Sequence, residues 1–125
     1  MELTLHTEFT FDSAHRLEGY DGKCANLHGH SWKVEIWFRG DSDEKDKVGI
    51  LIDFGYSKQL KELLDHKDIT KVITIGNPTA ENLTEWIYHY LRGNICGVKG
   101  KNIKIKVRVY ESVIDKKCYC EGGDW

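Results

Sequence analysis

The chain has 125 residues, of which 40% are hydrophobic and 30% are charged, and these values are typical of one folded domain with one core. Its formal net charge of -2 disfavours a nucleic-acid-binding protein, because neutralising phosphates requires clustered Lys and Arg. No apolar run approaches the length of a membrane span and the charged N-terminus is unlike a signal peptide, so we expect a cytoplasmic protein.

Four cysteines are present, at Cys24, Cys96, Cys118 and Cys120. For a cytoplasmic chain we interpret them as free or metal-bound thiols rather than as disulfides. Cys118 and Cys120 have the spacing of a metal or redox pair, although two small side chains near a frayed C-terminus is the favoured interpretation. The pattern assigns no role to Cys96.

Two strands are predicted at the start of the chain. Apolar and polar side chains alternate in residues 3–11 and again in residues 30–38, and a period of two is the strand signal. A loop at residues 18–26 lies between them, and the charged segment 40–49 follows as a solvated connection.

Two helices are predicted next. Apolar side chains at helical spacing in residues 56–64 indicate the first, which Asp53 can cap. Thr79 is the predicted N-cap of the second helix, for which Gly93 is the predicted stop.

The last part of the chain is predicted to return to strands. Gly97 and Gly100 mark a loop before a strand at residues 102–111, and a final short strand is predicted through Tyr119. The order strand, strand, helix, helix, strand, strand predicts an α+β domain over residues 1–125. Its expected architecture is a four-stranded antiparallel sheet with both helices on one face.

A metal site is predicted around two histidines. His28 and His30 are two residues apart on a strand, so they point to the side of the sheet that carries the apolar positions of residues 32–38. One zinc ion would satisfy both inward imidazoles, and His15, which has the same parity in the first strand, is the expected third ligand. The alternative is ordinary histidines, hydrogen-bonded in a core or exposed at a strand end.

Cys24 lies in a glycine-containing loop close to His28 in the sequence. A neighbouring cation lowers a thiol pKa, so a thiolate at this position could act as a base or nucleophile. The alternative is a fourth zinc ligand in a closed structural site.

Asp65 and His66 adjoin at the end of the first predicted helix. An acid beside a histidine suits a proton relay, although a polar helix C-terminus is the favoured interpretation of this pair alone.

Glu111 continues the apolar parity of the strand at residues 102–111. A carboxylate facing a core requires a partner, and a guanidine-like ring edge would supply one. The alternative is that the strand has ended and that Glu111 lies in solvent.

Together these segments resemble the pterin-synthase family, which includes 6-pyruvoyl- and 6-carboxy-tetrahydropterin synthases. The matching pieces occur in family order at residues 11–15, 24–30, 53–54, 64–66, 78–82 and 111. The resemblance implies a T-fold whose subunits join edge to edge in rings, with a hexamer of two stacked trimers expected and with active sites at subunit interfaces.

The resemblance also implies the roles of the site residues. It implies zinc on His15, His28 and His30, with Cys24 as the general base and Asp65 with His66 as the second proton-transfer group. It implies Glu111 as the anchor of the pterin ring, with Thr79 as a further substrate-binding residue.

Three residues separate Cys24 from His28, and this short spacing resembles the 6-carboxy-tetrahydropterin branch of queuosine biosynthesis. The expected reaction converts 7,8-dihydroneopterin triphosphate to 6-carboxytetrahydropterin, acetaldehyde and triphosphate. Two alternatives stay open, namely a 6-pyruvoyl-tetrahydropterin synthase, which keeps the carbon side chain, and a non-catalytic domain stapled by zinc.

Overall fold

The computed structural model describes residues 1–96 and 102–125. Within these residues the chain forms five strands and two α-helices, in chain order β1 (Glu2–His15), β2 (His28–Asp41), α1 (Gly55–Leu64), β3 (Lys67–Asp68), α2 (Ala80–Leu91), β4 (Lys104–Tyr110) and β5 (Cys120–Gly123). Short 3₁₀ turns at Lys23–Ala25 and Ser42–Glu44 and a π-helical turn at Arg92–Cys96 complete the described secondary structure. The predicted α+β class and the predicted order of the long elements are confirmed. The loop predicted at Gly97 and Gly100 lies outside the described residues.

The strands form a single sheet in the order β3-β1-β2-β4-β5. β1 and β2 are antiparallel along their whole lengths, so that Glu2 lies opposite Asp41 and His15 lies opposite His28. The sheet differs from the four-stranded prediction in β3, a two-residue strand that runs parallel to β1 beside Ser13 and Ala14. Two residues are too few to show a period, so no alternation could have predicted this strand.

Both helices cover the same face of the sheet. The core combines strand positions of one parity, among them Trp32, Val34 and Ile36, with Leu60 of α1 and Ile87 of α2. All five of these side chains are fully buried. Because each helix must bury its apolar stripe, packing both stripes on the apolar side of one sheet forms a single core.

Several strand boundaries differ from the prediction. β1 continues through His15 and β2 begins at His28, so the two central strands are longer than their apolar alternation indicated. The last strand begins at Cys120 rather than ending at Tyr119. Histidine and serine residues at the strand ends interrupt the apolar pattern but do not end the strands, because the hydrogen bonds between the strands are made by backbone groups and not by side chains.

Among the described residues, no helix has both the length and the apolar character needed to cross a membrane.

Candidate metal centre and active site

Three imidazoles meet where β1 ends and β2 begins. His15 is the last residue of β1 and lies directly opposite His28, the first residue of β2, while His30 is two residues further along β2. The ring centroids of the three are 4.5 to 5.0 Å apart, and their ligand nitrogens all lie within 4.8 Å of one another. The Trp32 ring packs edge-on against the rings of His15 and His30.

Two of these histidines are held in one tautomer by backbone carbonyls. His15 Nδ1 donates to the carbonyl of Pro78 at 2.7 Å, and His28 Nδ1 donates to the carbonyl of Asn26 at 2.7 Å. A carbonyl can only accept, so Nδ1 carries the proton in each ring and the neutral ring presents a lone pair at Nε2.

The two Nε2 atoms lie 2.9 Å apart. Because the single N–H of each neutral ring is at Nδ1, neither Nε2 carries a hydrogen, and the two Nε2 atoms cannot form a hydrogen bond with each other. Two lone pairs face each other at this distance, and a bound cation removes the repulsion because it accepts both. The donor set of the three histidines therefore fits a metal ion, and imidazole suits zinc, copper, iron or nickel.

His30 supplies the third nitrogen. Its Nε2 is buried and has no hydrogen-bond partner, although it lies 3.1 Å from Glu111 Oε1. That separation is an ion-pair distance without hydrogen-bonding geometry, so His30 Nε2 makes no hydrogen bond to Glu111. A buried polar atom without a partner is costly, and coordination to a metal would satisfy it.

Burial keeps the imidazoles in the form that binds metals. It lowers the pKa of His15, which is only 1% exposed, and this effect exceeds the opposing one of the hydrogen bond to Pro78. Burial also lowers the pKa of His30, more than the neighbouring Glu111 carboxylate raises it. The neutral ring is the metal ligand, so both shifts favour coordination at neutral pH.

The N-terminus of α2 fixes the orientation of His15. Thr79 is the N-cap, as predicted, and its side chain accepts from the backbone N–H of Asn82 at 3.1 Å. Pro78, directly before the cap, supplies the carbonyl that binds His15. This contact could not be predicted from the sequence, because every residue has a backbone carbonyl and the residue pattern does not show which one binds His15. The structure assigns Thr79 a capping role and leaves its substrate-binding role a prediction.

Cys24 lies in a single 3₁₀ turn, Lys23–Ala25, between β1 and β2. Its thiol is free and partly buried. The carbonyl of Cys24 accepts the N–H of Leu17 at 2.8 Å, which ties the turn to the segment directly after His15. This hydrogen bond ties the Cys24 turn to a position two residues after His15, while the group of ligand atoms within 4.8 Å of one another comprises the three histidines without Cys24.

Asp65 and His66 lie on the other side of β1 from β2, in the turn between α1 and β3. Asp65 Oδ2 is 3.7 Å from His66 Nε2, and the N–H of Asp12 holds the pKa of Asp65 below its usual value. The His66 side chain is 80% exposed. Among the described residues, no hydrogen bond, ion pair or ring contact joins His66 to the three clustered histidines.

The position of Glu111 agrees in part with both interpretations of the sequence, a carboxylate in the site and a residue beyond the end of the strand. β4 ends at Tyr110 and the Glu111 side chain is 47% exposed, as expected for a residue beyond the strand. Its carboxylate nevertheless lies beside His30. The next segment returns to β2, where the N–H of Val113 donates to the Ser31 carbonyl at 2.9 Å. Glu111 is therefore at the rim of the site, with part of its carboxylate open to a ligand.

The molecule is thus a small α+β domain with a cluster of three histidines, a candidate metal centre, at the end of an antiparallel strand pair. A family model described as 6-pyruvoyl tetrahydropterin synthase matches residues 4–122, and the chain belongs to that family.

Individual relatives carry three different descriptions. A putative 6-carboxy-5,6,7,8-tetrahydropterin synthase of Pyrococcus abyssi is 33% identical over 89% of this chain and 83% of its own length. A 6-carboxy-5,6,7,8-tetrahydropterin synthase of Synechocystis sp. is 31% identical over 77% of this chain and 78% of its own. A dihydroneopterin monophosphate aldolase of Pyrococcus furiosus is 33% identical over 77% of this chain and 82% of its own.

A solved structure supports the same fold. The 6-pyruvoyl tetrahydropterin synthase of Caenorhabditis elegans superimposes with a TM-score of 0.74 at 21% identity, over 100% of this chain and 97% of that one. The T-fold that the sequence resemblance implied is thereby confirmed.

Proposed function

We propose that the chain is a zinc-dependent 6-carboxy-5,6,7,8-tetrahydropterin synthase of 7-deazapurine (queuosine) biosynthesis. Its substrate is 7,8-dihydroneopterin triphosphate, and its products are 6-carboxytetrahydropterin, acetaldehyde and triphosphate. Membership of the pterin-synthase family supports the substrate class. Relatives from Pyrococcus abyssi and Synechocystis that carry the 6-carboxy description support the product.

The observation that carries the proposal is the facing pair of Nε2 atoms on His15 and His28, 2.9 Å apart, with the unsatisfied Nε2 of His30 beside them. Three imidazole ligands with an open fourth position are the arrangement of a catalytic zinc site. Zinc held there supplies Lewis-acid polarisation of the side-chain hydroxyls of the substrate.

The residues around the three histidines perform the recognition and the proton transfers. Glu111, half-exposed at the rim, accepts two N–H groups from the edge of the pterin ring. Cys24 takes a proton from the substrate side chain, as its turn beside His15 allows. The 3.1 Å separation between Glu111 Oε1 and His30 Nε2 supports ring recognition and bond cleavage at one site.

Asp65 and His66 form the second proton-transfer group. Asp65 stays ionised and orients the imidazole of His66, which delivers or accepts a proton on the far side of the substrate. The exposure of His66 supports an active site shared between copies of the chain, in which His66 of one copy faces the histidine cluster of another. We therefore propose a homo-oligomer, and the family resemblance makes a hexamer the expected form.

Product mass tests the proposal most directly. Purified protein is incubated with 7,8-dihydroneopterin triphosphate, and the pterin and the released fragment are identified by mass. A carboxylated tetrahydropterin with acetaldehyde is the expected result. A pyruvoyl pterin with the carbon chain intact would instead assign 6-pyruvoyl-tetrahydropterin synthase activity, and no reaction would favour a structural metal.

The aldolase-described relative of Pyrococcus furiosus makes cleavage of dihydroneopterin monophosphate a second candidate. The same incubation with the monophosphate in place of the triphosphate separates the two. Cleavage of the monophosphate at a higher kcat/KM than the triphosphate would assign the aldolase activity.

The thiol is tested by Cys24→Ala. Because Cys24 is proposed as the base and not as a ligand, turnover should fall by about 100- to 10,000-fold while zinc content stays at the wild-type value. Turnover by mass and zinc by elemental analysis are measured on the same preparation. Loss of zinc with the thiol would instead make Cys24 a ligand in a closed site.

A further inference from the structure

The turn that carries His66 has an unusual backbone. His66 has a φ of 55°, and it is the one non-glycine residue with positive φ in the described part of the chain. Residues with a β-carbon seldom adopt this left-handed region, and the conformation persists only where surrounding contacts determine it. The direction of the His66 side chain therefore depends on whatever holds this turn.

Backbone groups of β1 hold part of it. The N–H of Asp12 donates to Asp65 Oδ1 at 2.9 Å, and the carbonyl of Asp12 accepts the His66 N–H at 2.7 Å. Beyond the turn, the carbonyl of Ala14 accepts the N–H of Ile69 at 2.9 Å. These hydrogen bonds fix the turn along the edge of β1.

The side chain of Ser13 also fixes this turn. The hydroxyl of Ser13, which is 6% exposed, donates to the carbonyl of Leu64 and accepts the N–H of Lys67 at 3.2 Å. Leu64 and Lys67 flank Asp65 and His66 in the sequence, so a single hydroxyl closes both ends of the turn. Replacing it would leave two backbone groups of the turn without this partner.

We propose that Ser13 is a positioning residue that fixes the left-handed turn of His66 and thereby aims its imidazole at the substrate. The proposal rests on the proposed role of His66 in proton transfer. Ser13 does not touch the substrate in this scheme, because its hydroxyl is buried and both of its hydrogen bonds are made to the turn. A reacting group displaced by about 1 Å can lose about 100-fold in rate.

The test is Ser13→Ala. We expect kcat to fall by about 10- to 100-fold with KM within about twofold, because the histidine cluster and Glu111 stay in place. In a His66→Asn background, where the left-handed backbone is tolerated and the imidazole is gone, Ser13→Ala should cause no further loss of kcat. An undiminished loss in that background would overturn the proposal.

Ser57→Ala is the matched control. Ser57 is also buried, at 8% exposure, and its hydroxyl donates to the Phe54 carbonyl at 2.7 Å, at the start of α1. It should cost similar stability in thermal unfolding while kcat stays within about twofold of wild type. If Ser57→Ala lowers kcat as much as Ser13→Ala does, the effect is general destabilisation and the proposal fails.

Amide hydrogen exchange separates this proposal from the proposed function, since it needs no substrate. In Ser13→Ala the amides of His66 and Lys67 should exchange at least about 10-fold faster than in the wild type, while those of the central strand β2 keep their rates. Unchanged exchange at both amides would overturn the role of Ser13. Faster exchange in a protein whose wild type does not turn over the pterin would support that role and overturn the proposed function alone.

Discussion

Two groups of side chains in this molecule have the proximity of a metal site, and they differ in how their lone pairs are used. The first is the histidine cluster of His15, His28 and His30. The second, here called the sheet-face cluster, comprises His6, Glu8 and Glu35 on the side of the sheet without helices. In both, the candidate ligand atoms lie within 4.8 Å of one another.

The sheet-face cluster is already satisfied. Glu35 accepts from the Tyr110 hydroxyl at 2.7 Å and from His6 Nε2 at 2.9 Å. The ammonium of Lys33 lies 3.3 Å from Glu8 and 4.0 Å from Glu35, so a cation is in place between the carboxylates. A metal ion would have to displace these contacts before it gained any.

The histidine cluster has the opposite balance. The backbone carbonyls of Pro78 and Asn26 accept hydrogen bonds from the Nδ1–H groups of His15 and His28, so the Nε2 lone pairs of the two rings face each other. His30 adds a buried nitrogen without a hydrogen-bond partner. Unsatisfied lone pairs, and not the mere proximity of ligand residues, therefore distinguish a candidate metal centre.

Removing one member from each cluster tests this comparison most strongly. His28→Ala should lower metal affinity by more than about 100-fold and abolish measurable turnover, since even changes to groups behind a ligand cost 10- to 100-fold. The control, His6→Ala, should keep the wild-type metal content because His6 already donates to Glu35. Elemental analysis after dialysis measures both, and metal loss in His6→Ala would break the comparison.

Chelation is expected to have the next largest effect. Removing the metal should lower the free energy of unfolding by about 4 kcal/mol when the metal had been present at a thousandfold excess over its Kd. The apo protein should still unfold cooperatively, because the apolar core lies between the sheet and the helices and not at the cluster. Circular dichroism in a chelator titration measures this. An unfolded apo protein would point to a structural metal instead.

Glu35→Gln probes the sheet-face cluster with a smaller effect. Burial raises the pKa of Glu35, but hydrogen bonds from Tyr110 and His6 together with nearby Lys33 outweigh this effect and hold the pKa below its usual value. Ionised Glu35 therefore stabilises the fold above the unfolded-state pKa, and that contribution is lost as pH falls through the folded-state value. The variant should be less stable by about 1 kcal/mol at pH 7.

The pH dependence is the control for that variant. The stability difference between wild type and Glu35→Gln should shrink as the pH is lowered from 5 through the folded-state pKa of Glu35. Urea unfolding at a series of pH values measures it. A difference that stays constant with pH would show that the charge of Glu35 does not contribute.

Lys33→Met should have the smallest effect. The methionine keeps an apolar stem near the Tyr110 ring, over which the Lys33 ammonium lies 5.3 Å from the centroid, and removes the charge. The loss of stability should stay below about 1 kcal/mol, because the Glu8 partner is half-exposed. Without its resident cation the sheet-face cluster should bind Mn²⁺ more strongly than in the wild type, as calorimetry with the metal would measure. Unchanged Mn²⁺ binding would show that Lys33 does not occupy the cluster.

The local features of this protein could be predicted from its sequence. Alternation predicted the long strands, helical spacing predicted α1 and α2, and the N-cap at Thr79 was evident before an acidic first turn. The shared side of His28 and His30 also followed from parity, since side chains two apart on a strand point the same way. These features are local because each depends on backbone geometry within a few residues.

The sequence predicted that His15 joins His28 and His30, but the tertiary structure was needed to show how these distant groups are brought together and held. His15 faces His28 because of the β1–β2 register, and its tautomer is set by Pro78, 63 residues away in the chain. The two-residue strand β3 and the turn of Asp65 and His66 depend on the edge of β1 in the same way. Such contacts form when the packing of helices and sheet returns the chain to the same place, and backbone carbonyls and N–H groups are the same at every non-proline residue. Contacts made by these backbone groups therefore cannot be predicted from the residue pattern, whereas the periodicity of apolar side chains can be read from the sequence.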